Sequence, residues 1–94
     1  MDAMTTMSAL SQATRLAVFR RLVDALPEGM ASGEIAEATD TSPNSMSAHL
    51  AVLSRAGLVA SERSGRSAIY RALPGPAIEL SKFLAVACVR RADR

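Results

Sequence analysis

The chain is poor in the residues that build many kinds of chemical site. It has one cysteine, one histidine and no tryptophan, and its aromatics are one tyrosine and two phenylalanines. A single cysteine excludes an intrachain disulfide and any multi-cysteine zinc site. The lone histidine, His49, cannot build a histidine metal centre by itself. No apolar run is long enough to span a bilayer and no secretory signal pattern is present, so the simplest expectation is a cytoplasmic protein with no membrane role. There is also no Ser-His-Asp set, no phosphate loop and no carboxylate pair suited to a cleft. The nine acids read as solvated charge, and no enzyme is expected.

What is present suits packed helices. Apolar residues make up 49% of the 94 residues, and with so few aromatics the core must come from Leu, Ile, Val, Ala and Met. That length gives one small domain, expected over residues 1–94, with a limited core. The net charge of +2 conceals a segregation. Residues 22–40 hold five acids and no base, whereas residues 41–73 hold four arginines and one glutamate. Residues 1–21 and 74–94 are also net basic. Such asymmetry suits one face meeting phosphate and another turned away; a mixed, solvated surface is the plainer alternative.

The apolar spacing predicts a mainly α fold with a β-hairpin, in the order α-α-α-α-β-β-α. Met4, Met7 and Leu10 recur at helical spacing, and Leu16, Phe19, Leu22, Val23 and Leu26 form a second stripe. Pro27-Glu28-Gly29 ends that second helix. Ser32 is expected to cap a third helix, with Glu34 near its positive end and Ile35 and Ala36 inward. After a turn at Thr39-Asp40-Thr41, Ser42-Pro43 supplies an N-cap and a first-turn proline for a fourth helix, which Gly57 ends in a left-handed conformation. Met46, Leu50 and Leu53 lie on its inward face. Val59 to Arg63 and Ser67 to Leu73 read as two strands with Ser64-Gly65-Arg66 between them. Pro74-Gly75-Pro76 leads to a last helix carrying Ile78, Leu80, Phe83, Leu84, Ala87 and Cys88. The first and last helices are more apolar than a lone domain of this size can cover, which points to a symmetric dimer through both.

The fourth helix and the hairpin carry the functional signal. At about 100° per residue, the face opposite Met46, Leu50 and Leu53 holds Asn44, Ala48, Ala51 and Arg55, flanked by Ser45 and Ser47. A purely solvated helix usually carries Glu and Lys there; this face is small and nearly uncharged, as a helix seated in a major groove requires. Asn44 offers a paired donor and acceptor for adenine, Ser42, Ser45 and Ser47 offer hydroxyls to bases or phosphates, and Ala48 offers a methyl to thymine. Arg63 and Arg66 flank the hairpin tip, where arginine suits a phosphate backbone or a minor groove. The alternatives stay open. Asn44 and Ser45 also suit the first turn of any capped helix, Arg63 and Arg66 any solvated turn, and His49 either a hydrogen-bonded structural position or a DNA contact. Arg55 and Arg71 read equally as phosphate contacts or surface charges. A small-faced helix followed directly by a basic hairpin is a winged helix-turn-helix pattern, with double-stranded DNA as the partner.

Three segments carry a resemblance: SALSQATRLAVFRRLV (Ser8 to Val23), GEIAEATDTSPNSMSAHLAVLSRAGLV (Gly33 to Val59) and GRSAIYRAL (Gly65 to Leu73). They resemble the ArsR-type (ArsR/SmtB) family of bacterial winged-helix repressors over nearly the whole chain. "PEG-x-x-x-GEIAE" and "PNSMS" are similar to the arsenite-responsive branch with C-terminal cysteines. The resemblance implies a homodimer joined through its first and last helices, binding an imperfect inverted repeat, repressing transcription, and released by an inducer. It implies Asn44, Ser45, Ser47, Ala48 and His49 as recognition positions, and Arg63 and Arg66 as wing contacts.

The sensor departs from that family. Residues Ala31 to Ala36 lack the paired cysteines that many members carry in the third helix, and the last helix lacks their Asp and His ligands. Cys88 stands at the first of the adjacent cysteine positions of the arsenite branch, but Val89 occupies the second. As(III) takes about three thiolates, so Cys88 alone does not complete an ordinary site. Four readings of Cys88 remain: a cysteine packed in a dimer interface, a redox or alkylation switch, half of an intersubunit thiol site for a soft metalloid, or an engineered or truncated sensor. The function that follows is a sequence-specific repressor released by an inducer, arsenite or another thiol-reactive species being one class. The alternatives are a repressor without metalloid sensing, and a protein-interaction module on the same scaffold with no DNA role.

Overall fold

A computed structural model describes residues 2–92, without the side chains of residues 91 and 92. The expected 1–94 domain therefore has Met1, Asp93 and Arg94 outside the described residues. The elements run α1 (Ala3–Leu10), α2 (Ala13–Asp24), β1 (Met30–Ala31), α3 (Ser32–Ala38), α4 (Pro43–Arg55), β2 (Val59–Ser64), β3 (Ser67–Ala72) and α5 (Gly75–Ala92). The mainly α order is as expected, with one addition. The two-residue strand β1 pairs antiparallel with β3, making a three-stranded sheet in the order β1-β3-β2.

Local chemistry sets the helix starts. Asp2 caps α1: one carboxylate oxygen accepts the amide N–H groups of Met4 and Thr5, and the other accepts the Thr5 hydroxyl at 2.7 Å. These bonds, the Thr5 hydroxyl first, hold the Asp2 carboxyl below its ordinary value of 3.8. Gln12 caps α2 through the Arg15 amide, and Arg15 Nε donates back to the Ala9 carbonyl at 2.7 Å, tying the end of α1 to the start of α2. The third helix departs from expectation. Ser32 is already its first residue, and Ala31 stands at the cap with extended backbone. Because β1 runs straight into the helix, the Ala31 N–H is met by the Glu34 side chain at 2.9 Å instead of by a serine hydroxyl.

The core lies where α2, α3 and α4 meet the root of the sheet. Val18, Phe19, Leu22, Ile35, Ala36, Met46, Leu50, Leu53, Leu58, Val59 and Ala72 are all buried. The expected inward residues of α3 and α4 are therefore correct. The stripe in α2 is shifted: Val18 is buried, while Leu16, Val23 and Leu26 are exposed. In α1 the small residues Thr6 and Ala9 face the core, and Met4 is 71% exposed. Among the described side chains of α5 only Leu80 is buried; Ile78, Phe83, Leu84, Val86 and Val89 are exposed. α1 and α5 pack on each other, and Leu10 and Ala77 reach the core, but much of the apolar surface the spacing had found on these helices stays uncovered within the protomer.

Candidate nucleic-acid interface

The α3–α4 pair is held at a fixed angle by a short turn. Asp40 takes a positive φ of 50°, and the Thr41 amide donates to the Ala36 carbonyl at 2.9 Å, closing the end of α3. Ser42 then caps α4, its Oγ accepting the Ser45 amide at 3.2 Å, with Pro43 at the first helical position. Gly57, at φ 74°, reverses the chain at the far end, and the Leu58 amide bonds back to the Leu53 carbonyl. Burial of Met46, Leu50 and Leu53 fixes the rotation of α4 about its axis.

That rotation exposes Ser42, Asn44, Ser45, Ser47 and Ala48 together in the first turns of α4. His49 is half-buried at the edge of the same stretch. Arg55 is exposed in the last turn and lines a groove of about 390 Å³ with Met4, Ser8 and Val52, between α1 and α4. No carboxylate stands on α4, since Pro43–Arg55 contains no Asp or Glu.

The hairpin turn is tighter than the sequence suggested. Ser64 pairs with Ser67, which leaves Gly65-Arg66 as a two-residue loop, with Gly65 at φ 62°. Arg63 and Arg66 are both exposed at this tip. Among the described residues the ion pair formed is Arg71 with Glu62, at 3.3 Å, so neither tip arginine is neutralised by a carboxylate. Arg71 was open between phosphate contact and surface charge. The structure engages it within the fold, where it also donates to the Pro27 carbonyl. Sequence reasoning missed this bond because its partners lie 44 residues apart.

Cys88 lies apart from the α4 and wing residues, exposed on α5, the helix that packs on α1. Among the described residues, no three His, Cys, Asp or Glu side chains are grouped to hold a metal ion. The donor set around Cys88 thus supplies one thiol per protomer, short of the three that As(III) takes. No described helix is long and apolar enough to cross a membrane.

Helix α3, the tight turn, helix α4 and the β2–β3 hairpin together define a winged helix-turn-helix. A family model described as a helix-turn-helix domain matches residues 10–62, more than half of the chain. The chain belongs to the ArsR-type branch of that family. An ArsR-like transcriptional regulator from Rhodococcus sp. RHA1 superposes with a TM-score of 0.82 at 25% identity, over 98% of this chain and 84% of that one. The homodimeric winged helix-turn-helix DNA-binding domain of a possible ArsR-family regulator from Mycobacterium bovis is 30% identical, with a TM-score of 0.70, over 88% of this chain and 75% of that one. A possible transcriptional regulator for arsenical resistance is 26% identical, with a TM-score of 0.72, over 85% of this chain and 80% of that one. No curated protein sequence matches the chain. The protein is a DNA-binding transcriptional regulator, a class distinct from enzymes.

Proposed function

We propose that the protein is a homodimeric repressor that binds an imperfect inverted repeat and is released by an inducer. The observation that carries the DNA-reading part is the first two turns of α4. They present Asn44, Ser45, Ser47 and Ala48 to solvent with no acid on the helix, and two unneutralised arginines stand on the wing. Asn44 reads a base edge, Ser42, Ser45 and Ser47 bond phosphates or bases, and Ala48 meets a thymine methyl. Arg63 and Arg66 bind backbone or minor groove, and His49, half-buried, contributes at the margin. The protein-interaction alternative usually substitutes an apolar or acidic face here, which this helix lacks.

The dimer reading is supported by α5 and α1. Ile78, Phe83, Leu84, Val86 and Val89 are each between 43% and 58% exposed, large apolar side chains that a second copy would cover. The M. bovis relative is homodimeric. Two-fold symmetry would place two copies of α4 on two half-sites, hence the inverted repeat. On this reading Cys88 of α5 lies at or near the interface, and modification of its thiol alters the spacing of the recognition helices. Such an inducer acts only by favouring the dimer form that does not bind DNA.

Footprinting on the DNA upstream of the gene tests this reading. Protection of two half-sites about one helical turn apart supports it, and uniform protection of any fragment opposes it. Adding arsenite, or an alkylating agent, to wild type and to Cys88→Ser tests the sensor. Release from DNA in both proteins alike removes Cys88 from the mechanism.

A further inference from the structure

We propose that Arg71 is a positioning residue for DNA binding. It fastens the wing to the connection between α2 and β1 and so fixes where Arg63 and Arg66 are presented. The inference rests on the DNA-binding reading of the wing given above.

The wing needs such a fastening. Of β2 only Val59 is buried, and of β3 only Ala72, so the hairpin leaves the core at its root. A two-stranded hairpin beyond that root is marginal by itself in water. Its outer pairs, Arg63 with Ala68 and Ser64 with Ser67, have no core beneath them. A third strand steadies it, but β1 contributes just two residues, Met30 opposite Tyr70 and Ala31 opposite Ile69.

Arg71 completes the attachment. Its Nε donates to the Pro27 carbonyl at 2.9 Å, and its Nη1 meets Glu62 Oε1 at 3.3 Å. One planar guanidinium therefore joins three chain segments: the loop after α2, strand β3 and strand β2. Glu62 lies diagonally across the hairpin from Arg71, since Ala60 is its direct partner, and a long side chain spans that diagonal. Gly29 seals the same face. A Cβ there would meet Arg71 Cγ at 2.8 Å and Ile69 Cγ2 at 2.9 Å, so the loop lies flush on the arginine stem. At the exposure of Glu62, 69%, the ion pair adds little stability; its value is geometric. The same pair also neutralises Glu62, the one acid among residues 41–73, on the strand that carries Arg63.

A lysine keeps the charge of Arg71 but cannot reach both partners with one nitrogen. The test measures anisotropy of labelled upstream DNA with the full chain as wild type, Arg66→Ala, Arg71→Lys and the double variant. Arg66→Ala is expected to weaken wild-type binding roughly fivefold, as loss of one phosphate contact does. Arg71→Lys is expected to weaken it by a similar factor despite keeping its charge. In the Arg71→Lys background Arg66→Ala should then cost less than about twofold, because the tip is already misplaced. Wild-type affinity in Arg71→Lys, or two losses that multiply, would overturn the proposal. Glu62→Ala keeps the Pro27 bond, removes the acceptor of Arg71 Nη1 and guards against a poorly folded Arg71→Lys: binding about twofold weaker than wild type supports positioning, and unchanged or tighter binding opposes it. Wild type that prefers no DNA fails the functional reading and this inference together. Wild-type binding with multiplying losses sinks the role of Arg71 alone.

Discussion

Gly29 and Tyr70 touch through an absent side chain: a Cβ on Gly29 would stand 2.5 Å from the Tyr70 carbonyl oxygen. Gly29 also holds φ at 80°, where an L side chain is strained. Gly29→Ala should therefore destabilise the fold by more than about 1 kcal/mol. Gly57→Ala, at a similar φ but facing open space, should cost less. Urea melts of both variants, followed by circular dichroism, make the comparison. Equal costs would show that backbone strain alone matters and that the close approach does not.

Leu50 is 2% exposed on the inward face of α4. Leu50→Ala should cost about 2–5 kcal/mol in chemical denaturation, from lost burial plus the cavity left behind. Ser42→Ala, which removes the cap on the Ser45 amide, should cost about 0.5–2 kcal/mol, and Ser42→Asp should restore most of it. The same changes tested for DNA binding separate the two roles of Ser42, since aspartate restores the cap but repels phosphate.

The exposed face of α5 should mediate assembly. Leu84→Glu places a charge where wild type is 43% exposed and apolar. Sedimentation equilibrium at micromolar concentration should show a dimer for wild type and a monomer for the variant. DNA affinity should fall about tenfold or more as two half-site contacts become independent. A wild-type monomer would remove the dimer from the reading.

Acid should weaken the cap of α1. The Asp2 carboxyl titrates below 3.8 because Thr5 and the amides of the first turn bond its charged form. Its contribution is fully present above the unfolded value and is lost as pH falls through the lower folded value. Asp2→Asn should flatten the pH dependence of stability in that acidic window, slightly lowering stability at neutral pH, where the aspartate contribution is fully present, and converging with wild type in acid. Melts at a series of pH values check this.

Much of this was legible in the sequence because the signals were local. Ser42-Pro43, the spacing of Met46, Leu50 and Leu53, and Gly57 fix the start, rotation and end of α4 within one short window. Rotation alone then exposes Asn44, Ser45, Ser47 and Ala48. What was not legible depends on distant partners. Strand β1 is two residues long, too short for any periodicity, and exists because β3 lies beside it. Arg71 reads equally as a phosphate contact or a surface charge until the fold brings Pro27 to it. The stripe of α2 misled because Leu16, Val23 and Leu26 have helical spacing and apolar character, yet lie where no other element of the protomer covers them.

The most direct test of sequence-specific recognition through α4 is a salt-dependent anisotropy titration of wild type and Asn44→Ala on upstream DNA and on random DNA. Wild type should bind upstream DNA tightly, with affinity falling steeply as salt rises, and random DNA far more weakly. Asn44→Ala should lose about 1–3 kcal/mol on the upstream site while its weak binding to random DNA is unchanged. Equal wild-type affinity for both DNAs at moderate salt would contradict sequence-specific recognition by this helix.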